Sequence, residues 1–239
     1  MKTIKRVAFF LFVAALLQGA ALKASTVLAN RQTRQISGFH GISVSSGIDL
    51  FLTQKNVEEV VVEAESQDLE KIITKVENGI LKIYRKEGSG FNLNWNHRSL
   101  KVYVSLKTID ELNASSGSDV NSESLLKLDK LECDVSSGAG VKLELEVNNL
   151  NVETSSGSDI SLIGKATSLE VSASSGSDID AKELESKKCK ASVSSGSDIA
   201  VNVTESLEAH ASSGGDIVYS GNPKSKDIRE SSGGDVNAR

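Results

Sequence analysis

The sequence has little proline: a single residue, Pro223, in 239. That excludes a collagen-like chain or a proline-rich stalk. Aromatic residues make up only 4%. Two cysteines and three histidines are too few for a zinc-finger array or a disulfide scaffold. There is no surplus of positive charge either. The net charge is -5, so no basic surface is offered to nucleic acid. One apolar run stands out, at 7–17, and about 11 residues are too few to span a bilayer, where about 20 are needed.

That run sits behind Lys2, Lys5 and Arg6 and ahead of the small residues Gly19, Ala20, Ala21 and Ala24. The order of charge, apolar stretch and small residues is that of a secretory signal peptide, assigned to residues 1–24. Residues 25–37 follow as a linker. Cleavage after Ala24 removes four positive charges and takes the net charge from -5 to -9. No cysteine follows the apolar run to carry a lipid; Cys133 and Cys189 lie far downstream. The expectation is an exported chain without a membrane span in its mature form, placed in the periplasm, on the outer-membrane surface or outside the cell.

What the sequence has in abundance is a repeat. Ser-Ser-Gly recurs at Gly117, Gly138, Gly157, Gly176, Gly196, Gly214 and Gly233, at intervals of 21, 19, 19, 20, 18 and 19 residues. A fixed period of this length marks a repeat array. Two positions after the glycine stands Asp119, Asp159, Asp178, Asp198, Asp216 or Asp235; the second copy has Gly140 instead. The next position is always Val or Ile. Ahead of each glycine, apolar or small residues alternate with polar ones, as in Leu131, Cys133 and Val135 or Leu169, Val171 and Ala173. A period of two describes strands with one buried face. The glycine supplies the positive φ of a tight corner.

Each repeat therefore reads as one coil, and coils of about 19 residues stack about 4.8 Å apart. An antiparallel meander of this many strands would form one very wide sheet, which tends to curl or split. The fold class expected is mainly all-β: a parallel β-helix, or β-solenoid, over residues 109–239. Residues 38–108 form a strand and cap region with a small α/β cap. Within it, Ser45-Ser46-Gly47 is an eighth corner. Strands are expected at 59–64, 80–84 and 100–106, with a turn at Asn78-Gly79. A helix is expected at 66 to about 76, with Leu69, Ile72, Ile73 and Val76 on one face, covering the open end of the stack.

Three segments carry a resemblance to a known family. They are Phe39-His40-Gly41-Ile42-Ser43-Val44-Ser45-Ser46-Gly47-Ile48-Asp49-Leu50, then Val60-Val61-Val62-Glu63-Ala64, then Val76-Glu77-Asn78-Gly79-Ile80-Leu81-Lys82-Ile83. With the Ser-Ser-Gly-Ser-Asp repeats, they resemble the putative auto-transporter adhesin head GIN domain family from about residue 36 onward. The resemblance implies a secreted, right-handed β-helix-like domain of Gram-negative, chiefly Bacteroidetes-like bacteria. No catalytic residues come with it. A true autotransporter ends in a membrane barrel; none is expected here after Arg239.

The candidate sites follow. The column Asp119, Asp159, Asp178, Asp198, Asp216 and Asp235 lines one edge of the coils. Its ordinary role is to accept bonds from the backbone and serines of each corner. The functional alternative is a calcium ion between coils, although one carboxylate per coil falls short of the six to eight oxygens calcium takes. No other cofactor is expected. The irregular loop with Phe91, Trp95, His97 and Arg98 is the candidate recognition tip, against the alternative that its aromatics tuck under the cap. His40, His97 and His210 do not recur with the repeat, so no serine has a base. Cys133 and Cys189 fall three coils apart, about 14 Å, and are expected as free buried thiols. The function expected is a non-catalytic, adhesin-like binding or structural module for an extracellular or cell-envelope ligand, glycan or protein. It would self-associate through its C-terminal edge. The rival reading is a polysaccharide-processing β-helix enzyme, for which the coils offer short loops and equivalent aspartates.

Overall fold

The structure, a computed structural model, describes residues 30–86 and 100–239. In chain order the first elements are β1 (Asn30–Arg34), β2 (Gly41–Val44), β3 (Asp49–Gln54) and β4 (Glu59–Ala64). One helical turn, α1 (Ser66–Leu69), precedes β5 (Ile72–Glu77) and β6 (Ile80–Arg85). Then come β7 (Lys101–Leu106), β8 (Glu111–Ala114) and β9 (Asp119–Ser122). The repeats supply β10 (Leu126–Val135), β11 (Gly140–Ser155), β12 (Asp159–Ser174), β13 (Asp178–Val193) and β14 (Asp198–Ala211). The last are β15 (Asp216–Gly221), β16 (Ser225–Glu230) and β17 (Asp235–Ala238).

The repeats wind as parallel stacked coils, a β-solenoid. Leu131 pairs with Leu150, Leu150 with Leu169, Leu169 with Cys189 and Cys189 with Leu207. Every such step is one repeat, so each interior side chain meets its counterpart. Strands alternate buried and exposed residues, and two exposed residues in succession, Asn148 and Asn149, mark the bend opposite the Ser-Ser-Gly corner. The interior is filled by Leu, Val, Ile and Ala. Residues of this size suit a narrow core between two packed sheet faces.

The corners carry more strain than the glycines alone imply. The second serine of each is also left-handed, from Ser46 (φ 70°) to Ser232 (φ 51°). A non-glycine residue there costs about 1–2 kcal/mol. The return is a hydrogen bond along the stack: Gly117 N–H donates to the Ser137 carbonyl (3.1 Å), and Gly138 N–H to that of Ser156 (3.2 Å). The corners are thus laddered like the strands.

The first corner joins the same ladder. β2 lies between β6 and β8, and β3 between β7 and β9, all parallel. The coil containing Gly47 therefore sits directly against the coil containing Gly117. The intervening chain folds back to the other side of it, where β6 and β7 form a further rung. Beyond them β4 runs antiparallel to β7, β1 to β4, and β5 to β6.

The helix expected over 66–76 is corrected by this arrangement. α1 is one turn, and from Ile72 the chain is a strand. The spacing of Leu69, Ile72, Ile73 and Val76 fits a helical face, but Ile72, Thr74 and Val76 also alternate. The β-branched residues favour extension. Asn78 (φ 53°) and Gly79 (φ 79°) close a tight hairpin onto β6, as two consecutive positive φ values require. Antiparallel strands, not a helix, therefore border this end. Cys133 and Cys189 are free and buried, in coils three steps apart as expected.

Candidate functional site

In most corners the two residues after the glycine send their side chains in opposite directions. The residue after the glycine points inward: Ser118, Ser158, Ser177 and Ser197 are fully buried. The Ser158 hydroxyl lies 2.8 Å from the carbonyls of both Ser155 and Val135, and Ser118 reaches Ser115 (2.6 Å) and Val44 (3.3 Å) in the same way. These serines brace the corners from the inside. The residue after that begins a strand and points outward.

The outward residues stack in register. Asp49 is opposite Asp119, Asp119 opposite Gly140, Gly140 opposite Asp159, and the column continues through Asp178, Asp198 and Asp216 to Asp235. Asp178 accepts a bond from the backbone N–H of Asp198 at 3.3 Å. Partial burial, and then the charges of Asp178 and Asp216, push the Asp198 carboxyl above its ordinary range. Among the described residues no three acidic, histidine or cysteine side chains converge as a metal ion requires.

At Gly140 the column is interrupted. A Cβ there would come within 2.6 Å of Asp119 Oδ1, so the Asp119 carboxylate lies over the bare backbone. Beside it opens a groove of about 640 Å³ lined in part by Phe51, Asn121, Lys142 and Asp159. Phe51 stacks on Tyr103 from the neighbouring rung, with ring centroids 5.0 Å apart and planes at 19°. The Arg31 guanidinium sits 5.1 Å from the Tyr103 centroid and pairs with Glu63 at 2.6 Å. The Lys101 ammonium lies 6.0 Å from the Phe51 centroid. This outward aromatic stack, with Asp49 beside it, was not singled out from the sequence. The outward phase of Phe51 was readable from its alternation, but its pairing with Tyr103 depends on β7 lying against β3.

The histidines within the described residues have other partners. His40 Nδ1 is 2.8 Å from Asp110 Oδ1, and Lys130 Nζ is 3.3 Å from Asp110 Oδ2. The bond to His40 leads in holding the Asp110 carboxyl below its ordinary range, assisted by Lys130 against some desolvation. His210 Nε2 lies 3.3 Å from Arg229. The candidate loop residues Phe91, Trp95, His97 and Arg98 lie outside the described residues. No helix among the described residues is long and apolar enough to cross a membrane.

Comparison with solved structures shows the same fold. A putative adhesin from Bacteroides fragilis is 20% identical with a TM-score of 0.78, covering 88% of this chain and 97% of its own. A putative adhesin from Parabacteroides merdae is 17% identical with a TM-score of 0.72, covering 90% and 97%. A putative lipid binding protein from Parabacteroides distasonis is 21% identical with a TM-score of 0.70, covering 90% and 98%. A search of curated proteins found no match. The profile of one family aligns with residues 38–223, which hold all but the last of the Ser-Ser-Gly corners. On that extent of agreement, the chain belongs to the putative auto-transporter adhesin, head GIN domain family.

Proposed function

We propose that this chain is an exported, non-catalytic binding module of the cell envelope, adhesin-like, that presents its ligand face on a rigid solenoid. The observation that carries the reading is the groove beside Gly140, where a half-buried, outward-facing aromatic stack meets hydrogen-bonding side chains. Membership of an adhesin-type family and the described names of two neighbours support it. The amino-terminal pattern of charge, apolar run and small residues supports export. The described name of the third neighbour, a putative lipid binding protein, is consistent with a binding role.

The enzyme reading is the weaker one. Hydrolysis of a glycosidic bond needs a proton donor and a second carboxylate in distinct environments. The outward aspartates occupy equivalent positions on successive coils instead. Incubating the exported chain with polysaccharides, and assaying both retention on immobilised glycans or envelope proteins and release of reducing sugar, tests the two together. Retention without release is expected; release would replace this reading with the enzymatic one.

Contact between copies belongs to the same proposal. Among the described residues β16 pairs only with β14 and β17 only with β15, so each has one edge without a strand partner, capped on β17 where the Val236 N–H donates to the Glu230 carboxylate (2.8 Å). Lys226, Asp227, Arg229 and Glu230 decorate β16, a composition that limits such pairing to weak, salt-sensitive association. Light scattering across a concentration series is expected to show a reversible rise in mass; a constant monomer removes this part.

A further inference from the structure

We infer that the groove beside Phe51 is a sugar-binding subsite for a neutral glycan, with one pyranose ring stacked on the Phe51 ring. This rests on the binding-module reading and names its ligand class. The argument begins with the aromatic stack. Tyr103 covers one side of Phe51, and on the other side its neighbour in register is Asn121, a short polar residue. Phe51 therefore ends the stack and forms a wall of the groove. A half-buried aromatic that ends a stack on an outward face offers a flat apolar surface matched to the C–H face of a sugar.

The floor is the second point. Gly140 replaces the aspartate found in six of the seven repeats. Its φ is not in the left-handed region, unlike that of Gly138, so the backbone conformation there does not call for glycine. What the missing side chain provides is room. An aspartate at this position would stand in the groove.

The walls then select the ligand. Asp119, Asp159, Asn121 and Lys142 supply acceptors and donors of both kinds, as a polyhydroxylated ring needs. Among the described residues Lys142 is exposed and has no ion-pair partner. Asp119, Asp159 and Asp178 outnumber it along the groove, so the local field opposes uronates and sialylated chains. The other apolar lining residues, Val120, Val141 and Ile160, are buried, which leaves too little exposed apolar surface to hold an acyl chain.

The test uses the exported chain with cello-, manno- and laminarihexaose, hexagalacturonate as the acidic probe, and phosphatidylcholine vesicles as the lipid probe. Calorimetry is run on the wild type, Phe51→Ala and Gly140→Asp. Binding of a neutral hexaose is expected, with hexagalacturonate silent. Both substitutions should weaken it by about tenfold or more. Unchanged melting temperatures would show that the loss is local, and Gly140→Asp restores the residue that the seven other coils carry. Glycan binding that survives both substitutions overturns the subsite and leaves the module reading intact. Binding of vesicles or envelope proteins without any hexaose overturns the sugar assignment alone. No binding to any probe, with no adherence of coated beads to bacterial or epithelial cells, overturns both.

Discussion

The Ser118 hydroxyl lies 3.3 Å from the Val44 carbonyl across 74 positions of sequence. The contact joins the first corner to the repeat array and makes the coil of Gly47 a full member of the stack. Substitution of Gly47 by valine should therefore destabilise the whole solenoid. Its φ is 68°, where a β-branched residue is strained, and its N–H donates to the Ser116 carbonyl at 3.1 Å. The cost is about 1–2 kcal/mol or more, which corresponds to a fall of ~2–8 °C in a chain of this size. Thermal unfolding followed by far-ultraviolet circular dichroism checks it. An unchanged midpoint would mean that the first coil melts separately.

The buried serines give a paired prediction. Ser158→Ala removes a hydroxyl placed between the Ser155 and Val135 carbonyls and also strips the Ser155 N–H of its acceptor at 3.2 Å. Leaving such groups unmet inside a protein costs about 1–3 kcal/mol. The second repeat carries Ala139 at the equivalent buried position. Ala139→Ser should therefore act in the opposite direction and stabilise by about 0.5–1.5 kcal/mol. Denaturant titration of the two single variants decides the matter. If both changes are neutral, the serine ladder is not a source of corner stability.

How much of this was legible in advance depends on how far apart the interacting residues lie. The phase of the coils was open to reading because stacking places equivalent residues in equivalent environments. Leu131, Leu150, Leu169 and Leu207 meet the same selection for size, and the pattern repeats with the corner. The strand at Ile72–Glu77 was not legible, since its apolar spacing suits two periods and the deciding contact is its hairpin with β6. The order of the first rungs was hidden for the same reason. Phe51 stacks on Tyr103 only because β7 inserts on the far side of β3. The lapse at Gly140 was visible in the aspartate pattern, but the groove beside it was not, because it depends on the register.

The aspartate column predicts an unusual pH response. Slight desolvation and the charges of Asp178 and Asp216 raise the Asp198 carboxyl above its unfolded value. The folded state thus holds this proton more tightly than the unfolded state does. Ionising Asp198 carries a cost that is absent below the ordinary aspartate range, grows as pH rises through the window between the unfolded and folded values, and is complete above it. Asp198→Asn removes the ionisation. The variant should melt higher than the wild type at neutral pH, and the difference should vanish in acid. Added salt should shrink the part due to Asp178 and Asp216. A variant that melts lower at neutral pH would show that the Asp198 carboxylate contributes favourable contacts that outweigh the repulsion. Asp110 works in the other direction: its lowered carboxyl loses stability as pH falls through its folded value. The comparison must therefore be made between variants at each pH.

The two thiols test the coil register directly. Cys133 and Cys189 are buried, and burial pushes both up to about 12. At pH 8 only about one thiol in ten thousand would be ionised even if reagent could reach it. Their coils are three steps apart, or about 14 Å, beyond the ~7 Å between Cα atoms that a disulfide spans. Native protein should therefore react with neither a thiol-specific aromatic disulfide nor an oxidant. In guanidinium both cysteines should label, and the native labelling rate should follow the global opening of the stack as denaturant is raised. Non-reducing mass spectrometry of peptides after mild oxidation is the sharper measurement. A bridge between Cys133 and Cys189 in folded protein would require the two coils to be adjacent, and the parallel register linking Leu131 to Leu150, Leu169 and Cys189 could not hold.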